Sequence, residues 1–132
     1  LMKEIQKIHQ INVFCVHHPT QSALAEYLKE PRHYLELSHF YQTKRDYFLR
    51  LIRNSRFQWT PAQGTYFQLL SYHSITDQPD VEYAEWLVRE HRISTIPVSV
   101  FNHNRKDWKQ LRICFAKKDE TLEQAAEVIN KL

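Results

Sequence analysis

With 132 residues and 42% hydrophobic content, the chain has the size and composition of one globular domain. A formal net charge of +3 is too small to argue for nucleic acid, and no stretch approaches the roughly 20 apolar residues of a membrane span. There is one glycine, Gly64, which excludes the glycine-rich loops that bind nucleotide phosphates. Cys15 and Cys114 form no disulfide framework, so we expect two small buried thiols in a reducing cytoplasm.

The first thirty residues predict two helices separated by a short apolar run. Apolar residues at helical spacing predict an opening helix that ends near His9 or Gln10. The run over 11–16 reads as a strand or a buried linker, and Thr20 is expected to cap the second helix. Because the chain starts within a helical pattern and without an initiator Met, we expect it to be a piece of a longer polypeptide.

After Pro31 the sequence predicts a long helix followed by an alternation of strands and helices. The long helix is expected to end near Ser55. The later elements are a strand over 64–72, a helix capped by Asp80, a strand over 94–101 that Pro97 places at an edge or kinks, a strand over 111–115, and a last helix opened by a capping box over 121–124. This order predicts an α+β domain in which a small antiparallel or mixed sheet is covered by helices.

Several kinds of reactive site find no support in the residue pattern. The side chains of the adjacent His17 and His18 diverge, and no H-x-x-x-H pair lies on a predicted helix. Neither cysteine belongs to a C-x-x-C pair, so we expect no metal site. With one glycine there is also no G-x-S-x-G nucleophile motif.

A basic stretch on the long helix leaves one alternative open. Its cations are followed by Phe57 and Trp59, a combination that single-stranded nucleic-acid sites use. The spacing wraps the charges around the helix, which favours a solvated surface, and a stand-alone α+β module that binds nucleic acid or protein is the alternative. The cations are Lys44, Arg45, Arg50, Arg53 and Arg56.

Arg112 is the most unusual charge in the chain. In the strand over 111–115 the residues Leu111, Ile113 and Phe115 share one face, while Arg112 and Cys114 occupy the other. An ion pair or an edge-strand charge would explain Arg112, and residue statistics favour that reading by roughly two to one. Alternatively, the planar guanidinium could bind a small carboxylate through two parallel hydrogen bonds.

The order of five segments resembles the C-terminal third of class I/II, fold-type I aminotransferases that use pyridoxal phosphate. The methionine, glutamine and kynurenine transaminase branch is the most similar. One departure is His17-His18, where members of that family often carry Asn followed by a small residue. The segments are residues 1–25, F-Y-Q-T-K-R-D at 40–46, G-T-Y-F-Q-L at 64–69, I-P-V-S-V-F at 96–101 and L-R-I-C-F-A-K-K-D-E-T-L at 111–122.

The resemblance implies a division of the chain and a substrate-binding residue. Residues 1–30 would be a remnant of the large cofactor-binding domain and the connection between domains, and residues 31–132 would be the small domain. Arg112 would bind the α-carboxylate of the amino acid, which reverses the preference for an ion pair. Its possible pocket neighbours are Tyr66, Phe67, Ser99, Phe101 and Asn102.

The resemblance also implies what this chain lacks. The Schiff-base lysine and the cofactor-binding groups would precede Leu1, and neither Lys3 nor Lys7 takes their place. No catalytic and no cofactor-binding residue is therefore expected here, and the chain alone should be inactive. The longer enzyme would be a cytoplasmic homodimer that transfers an amino group between a methionine-like, aromatic or glutamine-like amino acid and a 2-oxo acid. Neither nucleic acid nor a membrane would be its partner.

Overall fold

The computed structural model describes residues 1–132 and divides the chain into two compact units, 1–37 and 38–132. The first unit consists of helices α1 (Met2–Val13), α2 (His18–Tyr27) and α3 (Arg32–Leu35). Every residue of this unit is exposed except the half-buried Glu30, so it has no core of its own. The predicted domain boundary after residue 30 stays a prediction.

The predictions for residues 11–16 are wrong. Residues 11–16 form neither a strand nor a buried linker, because α1 continues to Val13 and its apolar residues stay at helical spacing. The helix ends at Val13, because the next residue, Phe14, has a φ of 50° that is incompatible with a further turn. Cys15 follows in the connection to α2 and is exposed, not buried, since every side chain of that connection is exposed.

Thr20 does not cap α2. The helix begins two residues earlier, at His18, with Pro19 in its first turn, where the missing N–H has no helical partner to lose. The Thr20 hydroxyl lies 2.8 Å from His17 Nδ1 and makes a side-chain hydrogen bond there. Proline geometry, not a hydroxyl cap, therefore sets the start of this helix.

The second unit confirms the predicted α+β class. Its three strands are β1 (Phe67–Ser71), β2 (Ile96–Pro97) and β3 (Gln110–Cys114). They form an antiparallel sheet in the order β1–β3–β2, in which β3 is central. Pro97 lies in the edge strand β2 as predicted, where its missing N–H costs no ladder hydrogen bond. The elements are α4 (Leu37–Leu51), β1 (Phe67–Ser71), α5 (Asp80–His91), β2 (Ile96–Pro97), a 3₁₀ turn (Val98–Phe101), β3 (Gln110–Cys114) and α6 (Asp119–Ile129).

One face of this sheet forms the core. The alternation predicted for β3 is confirmed, because Leu111 and Ile113 are buried while Arg112 and Cys114 are only half-buried. The opposite face of the sheet is much less covered, with Leu69 and Ile96 each 38% exposed. The core side chains include Phe48, Ile52, Leu70, Leu87, Leu111, Ile113, Phe115, Leu122, Ala126 and Ile129.

Element boundaries differ from the prediction in the long helix and in the second strand. The predicted long helix is interrupted at Glu36, and α4 ends at Leu51, four residues before Ser55. The predicted strand over 94–101 pairs only at Ile96 and Pro97 and then winds into the 3₁₀ turn. The paired part of this strand is therefore only two residues long.

Neither of the two N-caps predicted for the helices of the second unit is used. Asp80 is the first residue of α5 and its carboxylate bonds elsewhere, while Pro79 occupies the cap position. Helix α6 begins at Asp119, two residues before Thr121, and Lys118 occupies its cap position without a side-chain bond. Asp119 and Glu120 lie in the first turn of α6, where negative charge stabilises the helix dipole.

Tyr83 has an orphaned hydroxyl that yields a stability prediction. Its ring is 2% exposed and lies 4.5 Å from the Tyr72 ring, but its hydroxyl makes no hydrogen bond. Since an unsatisfied buried hydroxyl costs about 1–3 kcal/mol, Tyr83→Phe should leave the free energy of unfolding unchanged or raise it at pH 7. Tyr72→Phe is the matched control. It removes a 3.0 Å bond to the Gln78 carbonyl and should cost about 0.5–1.5 kcal/mol.

The same two tyrosines determine where the stability of the fold begins to decrease at high pH. Burial raises the pKa of Tyr72 and of Tyr83 above the ordinary value near 10.0. Both phenols thus stay protonated in the folded chain while they ionise in the unfolded chain, so stability should be complete below pH 10 and fall above it. Urea unfolding from pH 8 to 11.5 should show a shallower decline for Tyr83→Phe. An unchanged slope in that variant would contradict this assignment.

Candidate functional site

Arg112 occupies the middle of the central strand on the less covered face of the sheet. Its Cα pairs with Leu69 of β1 and with Ile96 of β2. Residues paired across an antiparallel ladder point to the same face, so Arg112 emerges between these two apolar side chains. Strands on both sides hold its backbone, which fixes the direction in which the side chain leaves the sheet.

Two aromatic rings flank the guanidinium group of Arg112. Its Cζ atom lies 4.5 Å from the centroid of the Phe67 ring and 5.2 Å from that of Phe101. Phe67 comes from β1, and Phe101 comes from the 3₁₀ turn that follows β2. Both distances are within the roughly 6 Å range of cation–π attraction. The rings therefore hold the cation from the two sides of β3.

The Arg112 guanidinium makes no hydrogen bond and no ion pair, and this separates it from comparable cations. Four lysine and arginine residues are half-buried, and the other three are bonded to protein oxygens. Lys44 lies 2.5 Å from the Asp119 carboxylate, and Arg45 bonds Asp46 and the carbonyl of Ala62. Lys109 donates to the carbonyls of residues 77 and 78. The ion-pair reading of Arg112 is thus not supported by its surroundings.

The predicted pocket neighbours fall into two groups. Phe67 and Phe101 contact the Arg112 side chain, and the half-exposed Tyr66 ring lies edge-on to Phe67 at 5.7 Å. Ser99 is 6% exposed and is bonded through both its N–H and its hydroxyl to Asp80. Asn102 donates through Nδ2 to the Lys106 carbonyl at 2.6 Å. The last two residues therefore shape the backbone beside the site.

Residue patterns did not single out three further residues at this site. Leu69 and Ile96 flank Arg112 in the ladder, which only the strand register reveals. Asp80 anchors the turn that carries Phe101, although its position before a helix suggested an N-cap. Asp80 is 1% exposed, so its carboxylate needs buried donors, and this burial is visible only in the structure.

The basic stretch on α4 is not a continuous row of free cations. Lys44 and Arg45 bond protein oxygens, and Arg56 donates to the carbonyls of Ser74 and Leu132. No three or more His, Cys, Asp and Glu side chains lie close enough together to hold a metal ion. No helix combines the length and the apolar character needed to cross a bilayer.

The contacts of the Arg112 side chain include no group that would hold pyridoxal phosphate. Arg112 is flanked by the rings of Phe67 and Phe101, and no lysine side chain forms a hydrogen bond or an ion pair with these three residues. Lys7 is exposed and pairs with Glu4 at 3.1 Å, while Lys44 and Lys109 are committed to protein oxygens. The single glycine, Gly64, has ordinary backbone geometry and lies in open space, so no glycine-rich phosphate loop is present. What the site does offer is a cation whose N–H donors are not used by other protein groups.

Comparison with known proteins identifies the family. Residues 3–129 match the model of "Aminotransferase class I and II". The chain is 45% identical over 130 residues to methionine aminotransferase of Escherichia coli and 30% identical over 149 residues to human kynurenine–oxoglutarate transaminase 3. The chain belongs to the class I and II aminotransferase family, as the resemblance predicted.

The chain corresponds to only part of these relatives. Each alignment includes 98% of the chain but only 34% of the E. coli protein and 33% of the human one, so the chain spans about a third of their length. A crystal structure of the E. coli methionine aminotransferase matches 98% of the chain and 35% of that protein, with 44% identity and a TM-score of 0.90. An aromatic aminotransferase from Pyrococcus horikoshii, at 21% identity, has the same fold with a TM-score of 0.79 over 95% of the chain and 34% of that protein.

Proposed function

We propose that this chain is the substrate-carboxylate-binding part of a pyridoxal-phosphate-dependent aminotransferase, in which Arg112 binds the α-carboxylate of the amino acid and of the 2-oxo acid. The observation that carries the proposal is the unpaired guanidinium. Among four half-buried basic side chains, Arg112 alone has no protein oxygen to bond, although it lies on the central strand of the sheet. Family membership supports the class of reaction.

The geometry suits a carboxylate better than a single-point anion. A guanidinium presents parallel N–H groups that match the two oxygens of a carboxylate, and each charge-assisted bond contributes about 1.5–3 kcal/mol. Two such bonds fix the carboxylate plane, so the Cα of the substrate leaves the site in one direction. The half-exposed Leu69 and Ile96 give the surroundings of Arg112 an apolar character, which strengthens charged hydrogen bonds.

The remaining catalytic groups belong, in this proposal, to a longer protein of which this chain is the C-terminal third. Pyridoxal phosphate would bind to residues outside these 132 and would supply the chemistry of amino-group transfer. The 132-residue chain alone should be inactive and should not bind the cofactor. The names of the relatives support a methionine-like or aromatic donor for the longer protein. A glutamine-like donor and a homodimeric assembly are what the family resemblance implies.

A substrate-analogue experiment on the longer protein tests the proposal. With pyridoxal phosphate present, L-methionine should yield its 2-oxo acid, while 3-(methylthio)propylamine, which lacks only the carboxylate, should compete at least about 100-fold more weakly. Methioninamide is the matched control, since it keeps the shape of the acid but not its charge, and it should resemble the amine. An inhibition constant of the amine as low as the KM of methionine would refute a carboxylate-binding role for the site.

A further inference from the structure

Phe101 is placed beside Arg112 without the support of a core. The ring is 62% exposed, and it lies at the end of a single 3₁₀ turn that follows a two-residue edge strand. Burial therefore does little to keep this side chain in position. Its location must come from the backbone of the turn, and the turn must itself be held.

A buried carboxylate holds that turn. Asp80 is 1% exposed, and its two oxygens accept bonds of 2.7 Å from the N–H and from the hydroxyl of Ser99, which stands two residues before Phe101. No lysine or arginine pairs with this carboxylate, so the Ser99 donors are what satisfies it. Bidentate acceptance from one residue fixes both the position and the orientation of the turn.

Asp80 also binds the other end of the polar loop that follows the 3₁₀ turn. The backbone N–H of Asp80 donates to Asp107 Oδ2 at 3.0 Å, and Asp107 Oδ1 accepts from the backbone N–H of Lys109 at 2.6 Å. Residues 99 and 107 are thus both anchored on the first residue of α5. The polar loop between them begins and ends at fixed points, and Phe101 lies just inside the first of these.

We propose that Phe101 is a positioning residue for Arg112, held in place by the Asp80–Ser99 pair. This inference rests on the proposed function, because it assumes that Arg112 binds the substrate carboxylate. Phe67 and Phe101 approach the guanidinium from the neighbours on either side of β3. An acidic partner would also orient Arg112, but it would occupy the N–H groups that the substrate needs. Aromatic rings restrain the cation through its faces and leave its donors free.

The proposal makes a quantitative statement about binding. Without the Phe101 ring, the Arg112 side chain would sample more rotamers, and substrate binding would have to restrict them. This entropic cost would weaken the affinity for every substrate by the same factor, since the carboxylate is common to all. An exposed cation–π contact is worth roughly a two- to sixfold change in an equilibrium constant. The rate of the bound complex should change little, because the carboxylate is held in both ground and transition states.

The test uses the longer protein with pyridoxal phosphate. Phe101→Leu should raise KM roughly two- to sixfold for amino-acid donors and 2-oxo acid acceptors alike, with kcat within about twofold of the unchanged enzyme. Phe101→Tyr should have the KM of the unchanged enzyme, because it keeps an aromatic ring at this position. Trp108→Leu is the matched control, since it removes a cation–π pair with Lys106 (3.9 Å) from the same loop and does not touch Arg112. It should leave KM unchanged.

A double variant separates this role from direct contact with substrate. In an Arg112→Gln background, Phe101→Leu should have no further effect on kcat/KM, because the ring acts only through the guanidinium. A further loss in that background, or unequal effects on different donors, would overturn the positioning role. If Arg112→Gln reduces activity while Phe101→Leu changes nothing, the positioning role fails and the proposed function stands. If Arg112→Gln itself changes nothing, both fail.

Discussion

Arg112→Lys in the longer enzyme should lower kcat/KM about 10- to 150-fold for every amino-acid donor. Lysine keeps the positive charge but is a compact cation without the planar pair of parallel donors. At least one of the two charge-assisted hydrogen bonds to the carboxylate is lost, and each contributes about 1.5–3 kcal/mol. The loss should be similar for all donors, since the group that Arg112 binds does not vary. Steady-state kinetics with two donors of different side chain would measure it.

Arg53→Lys is the matched control for that substitution. Arg53 is exposed, follows α4, and makes no hydrogen bond or ion pair, so its replacement should leave kcat/KM within about twofold. The far-ultraviolet circular dichroism of both variants should equal that of the unchanged protein. Unaltered kinetics for Arg112→Lys would remove Arg112 from the site and with it the main support for the proposed function.

Phe115→Ala should destabilise the 132-residue chain by about 3–5 kcal/mol. The Phe115 side chain is fully buried, at 0% exposure, directly after β3, and its backbone N–H donates to the Tyr66 carbonyl at 3.0 Å. Truncation would leave a cavity between the sheet and its helices that the surrounding core can only partly fill. Such a loss is a large part of the 5–15 kcal/mol that stabilises a typical domain. Urea unfolding followed by circular dichroism would measure it.

Phe40→Ala provides the comparison for Phe115→Ala. This variant loses the same kind of ring from α4, but the Phe40 side chain is already 51% exposed. Alanine also favours the helix more than phenylalanine does. Its free energy of unfolding should change by no more than about 1 kcal/mol. Equal losses in the two variants would mean that Phe115 does not belong to the core described for the second unit.

The candidate site was predictable from the sequence in its central residue. The alternation of the strand over 111–115 separates Arg112 from the buried residues Leu111 and Ile113, and the ordered motifs around it carry the family resemblance. The order of the predicted strands and helices also gave the α+β class, with a sheet expected to be antiparallel or mixed. Local patterns succeed here because strand periodicity and family motifs are properties of neighbouring residues.

The supporting residues could not be predicted in the same way. Leu69 and Ile96 become neighbours of Arg112 only through the register of three strands. Asp80 reads as a helix cap, yet its carboxylate bonds Ser99, nineteen residues away. A cap residue and a tertiary anchor need the same short acceptor side chain, so the residue type alone does not distinguish between them.

Predictions of burial failed in the first unit. Residues 11–16 were expected to form a strand or a buried linker and Cys15 to be a buried thiol, but all of these residues are exposed. Whether an apolar side chain is buried depends on which surfaces face it, and the composition of its own segment does not contain that information.

By itself the sequence determined the class of the fold, the family, the alternation of the central strand and the position of Arg112 on the sheet face opposite the core, since each of these depends on residues close together in the chain. Only the tertiary structure decided that the guanidinium of Arg112 has no acidic partner, that two rings from opposite sides flank it, and that Asp80 holds the turn carrying one of them. Those facts depend on pairing and packing between segments far apart in the chain, whose geometry no local pattern specifies.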